Sequence, residues 1–259
     1  MQVADRIERV SENIVNFYLV EDAGRVTVVD AGMPGNWGLL VDGLARIGRT
    51  LADIEAVVLT HAHSDHVGIA ERIRSGAPAD ALIHAADLEY LLAGKRPPGG
   101  MERGFSRRLL STLVYGLRKG GIRMPPVAEA RAFADGDVLD LPGSPRVVHA
   151  PGHTPGACAL LCESRGALLT GDAMVTLDFV SGRAGPCVSP LNTDRAEAIG
   201  SLARLDGLPA SIVLPGHGEP FVGTPTEAVA LARSRVARSR DAHSRDAHSR
   251  DARSRDAPR

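Results

Sequence analysis

Residues 59–68 read LTHAHSDHVG and bring His61, His63 and His66 into six positions, with Asp65 between them. The whole 259-residue chain holds 9 histidines, so this cluster is dense. Imidazole and carboxylate together are ligands for a divalent metal, with zinc, iron and manganese all suited. A structural or solvated polar turn is the alternative, and this stretch alone does not complete a ligand set. Three more ligand-type residues stand just past apolar runs: His153 in VVHAPGHTPG, Asp172 in LLTGDA and His217 in IVLPGHGEP. In each case an apolar run, a small residue and a ligand-type side chain follow one another. Side chains at strand ends can converge on one edge of a sheet, and buried uncharged histidines need no flanking glycine. His61, His63 and His153 could hold one ion, Asp65, His66 and His217 a second, and Asp172 could bridge the two. A helix cannot aim His61 and His63 one way and Asp65 and His66 the other, so this segment is expected as a loop capping the next helix. His84 and His149 sit inside strand-like runs and are read as ordinary packed or surface histidines, with His84 the nearer candidate to the site.

These residues need elements to position them. NIVNFYLVE and RVTVVDAG read as two strands joined by the turn DAG. In NWGLLVDGLARIG, Trp37, Leu40, Leu44 and Ile47 recur at helical spacing. IEAVVLT is a buried strand ending where the histidines begin, and VGIAERIRSG is the helix after them. Strand ALIHA and helix AADLEYLLAG follow, so the first half alternates strand and helix behind an opening hairpin. The second half is richer in strands: ARAFADGDVLDL with its turn at DGD, then PRVVHAPG, ACALLCES and GALLTGD, each ended by turn residues. The stretch AMVTLDFVSGRAGPCVSP carries no assignment. TDRAEAIGSLARL reads as helix and SIVLPGHG as strand then loop.

The length suits one large domain. Apolar content of 44% with only 3% aromatics makes a core mainly of Val, Leu, Ile and Ala. A net charge of −1 gives no global nucleic-acid signature, so no specific nucleic-acid partner is expected. Cys158, Cys162 and Cys187 are odd in number and form no CxxC pair. Cys158 and Cys162 lie four apart in an apparent strand, so both could face one side, and the set fits a reducing compartment. MQVADRIERV has no apolar signal segment and no run approaches membrane-spanning length. The expectation is a cytoplasmic protein without a membrane partner.

Two segments stand apart. Residues 94–130 form an insertion in which GFSRRLLSTLVYGLRKGG is an amphipathic helix, made basic by Arg103, Arg107, Arg108, Arg118 and Lys119. It is read as a surface helix on linkers, as a substrate-covering lid with Arg107, Arg108, Leu109 and Leu113, or as a homodimer contact. In the lid reading Leu109, Leu113 and Leu117 face inward. The domain is placed at 1–232. Residues 233–259 are a tail that becomes a near five-residue repeat of Arg, Asp, Ser and Ala from Arg238 onward. The repeat has no apolar face and is read as disordered or as a fraying helix extension, with His243 and His248 as bystanders.

With these motifs in hand, the chain resembles the metallo-beta-lactamase superfamily over roughly residues 10–222. THAHSDH matches its HxHxDH signature, Asp30 in VVDAG its first aspartate, and PGHTPG, TGD and PGHG its later motifs. The resemblance implies an α+β fold, a four-layer αββα sandwich of two mixed sheets between outer helices, with the metals at one edge. It also implies the ligand sets just counted, with Asp30 orienting the HxHxDH loop from outside the ligand shell. Aspartate at 172 resembles the glyoxalase II-like and general hydrolase branch, whereas true beta-lactamases usually carry cysteine or serine there. Ala157 and Cys158 stand where glyoxalase II enzymes and lactonases often have another histidine.

The chemistry so implied is hydrolysis of a small ester, thioester or lactone. Metal lowers the pKa of bound water from 15.7 to about 7, making a metal-bound hydroxide available to attack an acyl carbonyl. One ion would stabilise the oxyanion and the other the leaving group, while Asp65 holds the nucleophile by hydrogen bonding. The expected cofactor is two divalent ions, zinc first. Two other readings stand beside this one: a mononuclear-iron oxidoreductase of the persulfide dioxygenase kind, and a noncatalytic metal-binding protein.

Overall fold

The structure is a computed structural model that describes residues 1–101 and 107–238. Arg103 and the repeat from residue 239, with His243 and His248, lie outside the described residues. In the first half, β1 (Gln2–Ala4), β2 (Ile7–Glu12), β3 (Val15–Asp22) and β4 (Arg25–Val29) form an antiparallel run. Helix α1 (Trp37–Arg46) crosses to β5 (Ile54–Leu59), α2 (Ala70–Gly76) to β6 (Asp80–His84), and α3 (Leu88–Ala93) leads away from β6. A short strand β7 (Gly100–Met101) and helix α4 (Arg107–Arg118) precede β8 (Arg131–Phe133). The seven-stranded sheet runs β1-β2-β3-β4-β5-β6-β8 and is parallel from β4 onward.

The second half supplies β9 (Arg146–His149), β10 (Cys158–Cys162) and β11 (Ala167–Gly171). The hairpin β12 (Val175–Leu177) and β13 (Ala184–Cys187) follows, then β14 (Leu191–Asn192), α5 (Arg195–Leu205), β15 (Ile212–Pro215) and β16 (Phe221–Val222). Its five-stranded sheet runs β16-β15-β11-β10-β9. The final helix, α6, covers residues 225–238 and runs on past residue 233.

Period-two alternation sorts the side chains into layers. In β10, Cys158, Leu160 and Cys162 enter the core between the sheets with Tyr18, Val29, Val58 and Leu214, while Ala159 and Leu161 turn outward to Leu202 of α5 and Val229 of α6. On the far side, Leu40, Leu44, Ile73 and Leu91 cover Phe17, Val28 and Val57. The result is the four-layer αββα sandwich. Both Cys158 and Cys162 do share one face, as free, buried thiols.

Two differences from the sequence reading have local causes. The sequence pattern does not announce β1 and β2, since β2, IERVSE, has only Ile7 and Val10 as apolar residues. Its Glu8 is nonetheless buried, since the amino terminus and Arg46 (2.8 Å) both donate to its carboxylate. The stretch after Asp172 forms the β12–β13 hairpin, two short strands whose register shifts between Val175 and Leu177.

Candidate metal centre

Parallel neighbours end at the same edge of a sheet, and this places the site. Asp30 follows β4, and Thr60 and His61 follow its parallel neighbour β5. Asp172 follows β11 and His217 follows its parallel neighbour β15. His153 lies in the loop between β9 and β10. Both sheets therefore deliver ligand-type side chains to one edge of the sandwich.

The loop from Thr60 to Ile69 is shaped by Asp30, whose backbone takes the left-handed value φ 61°. A residue without glycine's freedom holds that conformation only where its surroundings compensate. Here the Thr60 amide donates to Oδ1 at 2.8 Å, the Thr60 hydroxyl donates to the same carboxylate, and His66 Nδ1 donates to Oδ2 at 2.8 Å. His66 Nε2 is thereby turned into the site. His153 Nδ1 donates to the Leu191 carbonyl and His217 Nδ1 to the Ile14 carbonyl, each at 2.6 Å, while His61 Nδ1 lies 3.1 Å from the Thr60 hydroxyl. Partners on the far ring nitrogen of this kind fix tautomer and orientation for a metal.

The near nitrogens converge. His61 Nε2 and His153 Nε2 lie 3.1 Å apart, and His63 Nδ1 is 2.9 Å from His153 Nε2. With Nδ1 of His61 and His153 engaged elsewhere, the two facing Nε2 atoms of the neutral rings carry lone pairs, which repel unless a cation lies between them. Asp172 Oδ2 is 3.2 Å from His217 Nε2 and 3.5 Å from His153 Nε2, and its Oδ1 is 3.6 Å from His66 Nε2. Asp65 Oδ2 is 3.4 Å from His217 Nε2. His66 Nε2 and Asp172 Oδ1 are buried with no hydrogen-bond partner among the described residues. Orphaned atoms of this type, facing one another beside lone pairs, fit the donor set of a divalent metal. The groups that could each hold an ion are His61, His63 and His153; His61, His66 and Asp172; and Asp65, His66 and His217. All seven sequence-nominated side chains are thus brought together. Six are buried, and Asp65, at 25% side-chain exposure, faces the open side.

Protonation reflects this crowding. Burial pushes His63 down to about 3, and repulsion from His153 adds to it. Burial would lower His66 too, but the carboxylates of Asp30, Asp65 and Asp172 outweigh it and lift the ring to about 10. Burial would raise Asp172, yet the imidazoles of His217, His153 and His66 hold its carboxyl well below the ordinary range. The centre balances imidazoles against carboxylates, as a cation site must.

Gly216 shows how little space is spare. A Cβ there would fall 2.5 Å from Asp172 Oδ1 and 2.5 Å from His66 Cε1. The glycine before His217 lets Asp172 and His66 close on it.

Three functional positions escaped the sequence reading. Asp87 is fully buried and accepts from the Ala62 amide at 2.9 Å, the Thr154 hydroxyl at 2.7 Å and the Gly156 amide at 2.7 Å. It ties the His61–His63 loop to the His153 loop. In AADLEYLL it reads only as an acidic residue opening a helix. Asn16 Nδ2 donates to the carbonyls of Pro215 (3.0 Å) and Gly218 (2.7 Å), and Tyr18 Oη to that of Pro215 (2.7 Å). These two β3 side chains grip the His217 loop across about 200 residues of sequence, a separation that carries no local signal. His84 and His149 stack at 4.0 Å, and neither belongs to a candidate metal group among the described residues.

A cleft of about 480 Å³ opens above Asp65, His63 and His217, walled by Ile14, Met33 and Phe179 and with Leu113 and Arg96 along its lining. The insertion helix α4 sits beside it, and here the inward leucines need correction. Leu109 is buried among Ile14, Val15, Met33 and Phe179, but Leu113 is 54% and Leu117 62% exposed. Residues four apart drift by about 40° per step on a 3.6-residue helix, so Leu117 has rotated away from the body. Tyr115 (3.0 Å) and Lys119 (2.7 Å) instead pin the helix to the Glu12 carboxylate. Arg107 and Arg108 are exposed.

A family model described as the metallo-beta-lactamase superfamily matches residues 10–217. The chain is 30% identical to the protein YobT of Bacillus subtilis, over 84% of this chain and 88% of that one. It is 26% identical to the probable metallo-hydrolase YflN of the same organism, over 86% and 87%. It is also 26% identical to the N-acyl homoserine lactonase AttM of Rhizobium radiobacter, over 78% and 81%. Among solved structures, a metallo-beta-lactamase family protein of Thermus thermophilus superposes with a TM-score of 0.65 at 26% identity, covering 90% of this chain and 80% of that one.

Proposed function

Because the chain belongs to the metallo-beta-lactamase superfamily, we propose that it is a dinuclear metal-dependent hydrolase of a small ester, thioester or lactone. The observation that carries this reading is the unsatisfied pair His66 Nε2 and Asp172 Oδ1, buried and facing one another amid five further metal-type ligands. In this reading His61, His63 and His153 would hold one ion and Asp65, His66 and His217 the other, with Asp172 available to either. When bound, such ions supply ionised water near neutral pH and polarise a carbonyl.

The residues around the centre do the rest. Asp65 is the most exposed of the ligand-type residues lining the cleft, and His66 and His217 offset burial to keep its carboxyl below the ordinary range, so it accepts a hydrogen bond from an attacking water. Ile14, Met33 and Phe179 take the apolar part of an acyl substrate and exclude bulk water. Arg96, held by its bonds to the Ser64 hydroxyl (2.7 Å) and the Gly121 carbonyl (2.6 Å), places a cation along the cleft for a polar or anionic end. A lactonase among the relatives is consistent with a cyclic ester as one substrate.

The test is metal analysis of purified protein paired with a panel of acyl esters, thioesters and lactones. About two zinc equivalents with turnover of one class supports the reading. One iron with oxygen uptake and no acyl hydrolysis would favour the oxidoreductase alternative, and a fully metallated protein inert on both would favour binding alone.

A further inference from the structure

Helix α4 presents an apolar stripe to the outside. Leu110, Leu113, Val114 and Leu117 follow one another at i, i+3, i+4 and i+7, all exposed, and Ile122 extends the stripe at 61% exposure. A surface helix of a folded domain normally buries such a face. Here Leu109, at the edge of the stripe, and Tyr115 with the following Lys119, on the opposite side, do the anchoring. The helix is therefore held firmly with its apolar face outward, and contiguous exposed apolar surface of this kind marks an interaction site.

Charge tells what covers it. Arg107 and Arg118 flank the stripe and Arg123 lies just beyond; all are exposed, and none forms an ion pair with a described residue. No acidic residue occurs from Arg107 to Met124. Apposing two copies of this face would crowd arginines together with no carboxylate to offset them. The chain's own tail beyond residue 238 has no large apolar residue with which to fill the stripe. Apolar and cationic surface side by side on one helix matches an anionic bilayer, which offers hydrocarbon beneath negative headgroups. The stripe is also continuous with the cleft, since Leu113 and Ile122 belong to both.

We propose that α4 is an interfacial docking helix that seats the mouth of the cleft on an anionic lipid surface. Leu110, Val114 and Leu117 enter the acyl boundary, Arg107, Arg118 and Arg123 meet headgroups, and the cleft opens toward that surface. The sequence expectation of no membrane partner rested on spanning length, which a helix lying in the interface does not need. That the docked cleft receives an acyl amphiphile rests on the hydrolase reading; the docking itself does not.

The test is co-sedimentation of the full chain with phosphatidylcholine vesicles, with and without about 30% phosphatidylglycerol, at low and high salt. The wild-type chain is expected to partition onto the anionic vesicles and to release at high salt. Leu110→Ser with Leu117→Ser should weaken partitioning at least about tenfold. Arg118→Glu with Arg123→Glu should weaken it by a similar factor and remove the preference for anionic vesicles. The arginine-containing tail is the same in every variant, so its contribution cancels. Metal content and hydrolysis of a water-soluble short-chain ester, measured alongside, should not change; loss of hydrolysis by all forms would sink the enzyme reading and leave docking standing. Docking itself is overturned by a wild type that ignores the vesicles or by variants that bind equally well. It is likewise overturned by a dimer that the serine variants dissociate without altering vesicle binding.

Discussion

The Asp87 carboxylate accepts the Thr154 hydroxyl at 2.7 Å, joining the helix that follows β6 to the loop that carries His153. The same carboxylate takes the Ala62 amide from between His61 and His63. One buried group therefore sets the spacing of three ligand-type histidines.

Asp87→Ala leaves the Ala62 and Gly156 amides buried and unpaired. Its expected cost is about 3 kcal/mol of stability and a fall in metal affinity of about 10–100-fold. Thermal unfolding and competition with a chelator measure the two effects. Unchanged metal retention in the folded variant would show that Asp87 does not position the histidines.

Gly216→Ala drives a methyl group against Asp172 and His66. We expect a folded chain, destabilised by about 1–3 kcal/mol, with weakened metal binding. Gly200→Ala, where nothing lies within 4 Å of the added carbon, is the control and should be neutral or stabilising by up to about 1 kcal/mol. Equal metal content in both variants would refute the tight-closure argument.

His153→Ala and His217→Ala remove one ligand from each proposed ion site. Each variant should hold fewer ions than wild type by elemental analysis, and hydrolysis should drop by about a hundredfold or more. A variant that keeps wild-type stoichiometry would break the assignment of that histidine.

Glu12 gives a pH dependence. Burial pulls its carboxyl up, but hydrogen bonds from Lys119 and Tyr115 prevail and set it below the ordinary 4.5. A group lowered in the folded state stabilises it above that value and loses the contribution as pH falls through the lowered one. The α4 anchor should therefore loosen in acid below about pH 4.5, seen as faster proteolysis near Arg107 and Arg118. Glu12→Gln should loosen it already at neutral pH, by about 1 kcal/mol because both partners are part-exposed, and flatten the acid response. Identical pH profiles would rule the anchor out.

Much of the centre was legible in the sequence because ligand-type residues leave local marks. His61, His63, Asp65 and His66 are close in sequence, and His153, Asp172 and His217 each follow an apolar strand and a small residue. The sandwich was legible through the family motifs, and the period-two run of β10 was visible by itself. What stayed hidden was non-local or disguised. Asn16 and Tyr18 look like ordinary strand residues until the His217 loop folds back onto them. Asp87 looks like a helix-opening acid. Strand β2 hides behind charged residues whose partners come from elsewhere in the fold. Helix α4 was visible as amphipathic, but periodicity gives a face and not a direction, and its apolar side points away from the body.

The last ligand loop is gripped by Asn16 and Tyr18 from the opposite end of the chain. During translation, His61 to His66 emerge some 150 residues ahead of His217, a delay of roughly 10–30 s at ordinary elongation rates. Every strand of the seven-stranded sheet precedes His217 in the chain, and His61, His63, Asp65 and His66 belong to that sheet's rim. The seven side chains can close on one another only once the ribosome has released the stretch through Gly218, so a nascent chain stalled earlier carries an open shelf of histidines in place of a closed cluster.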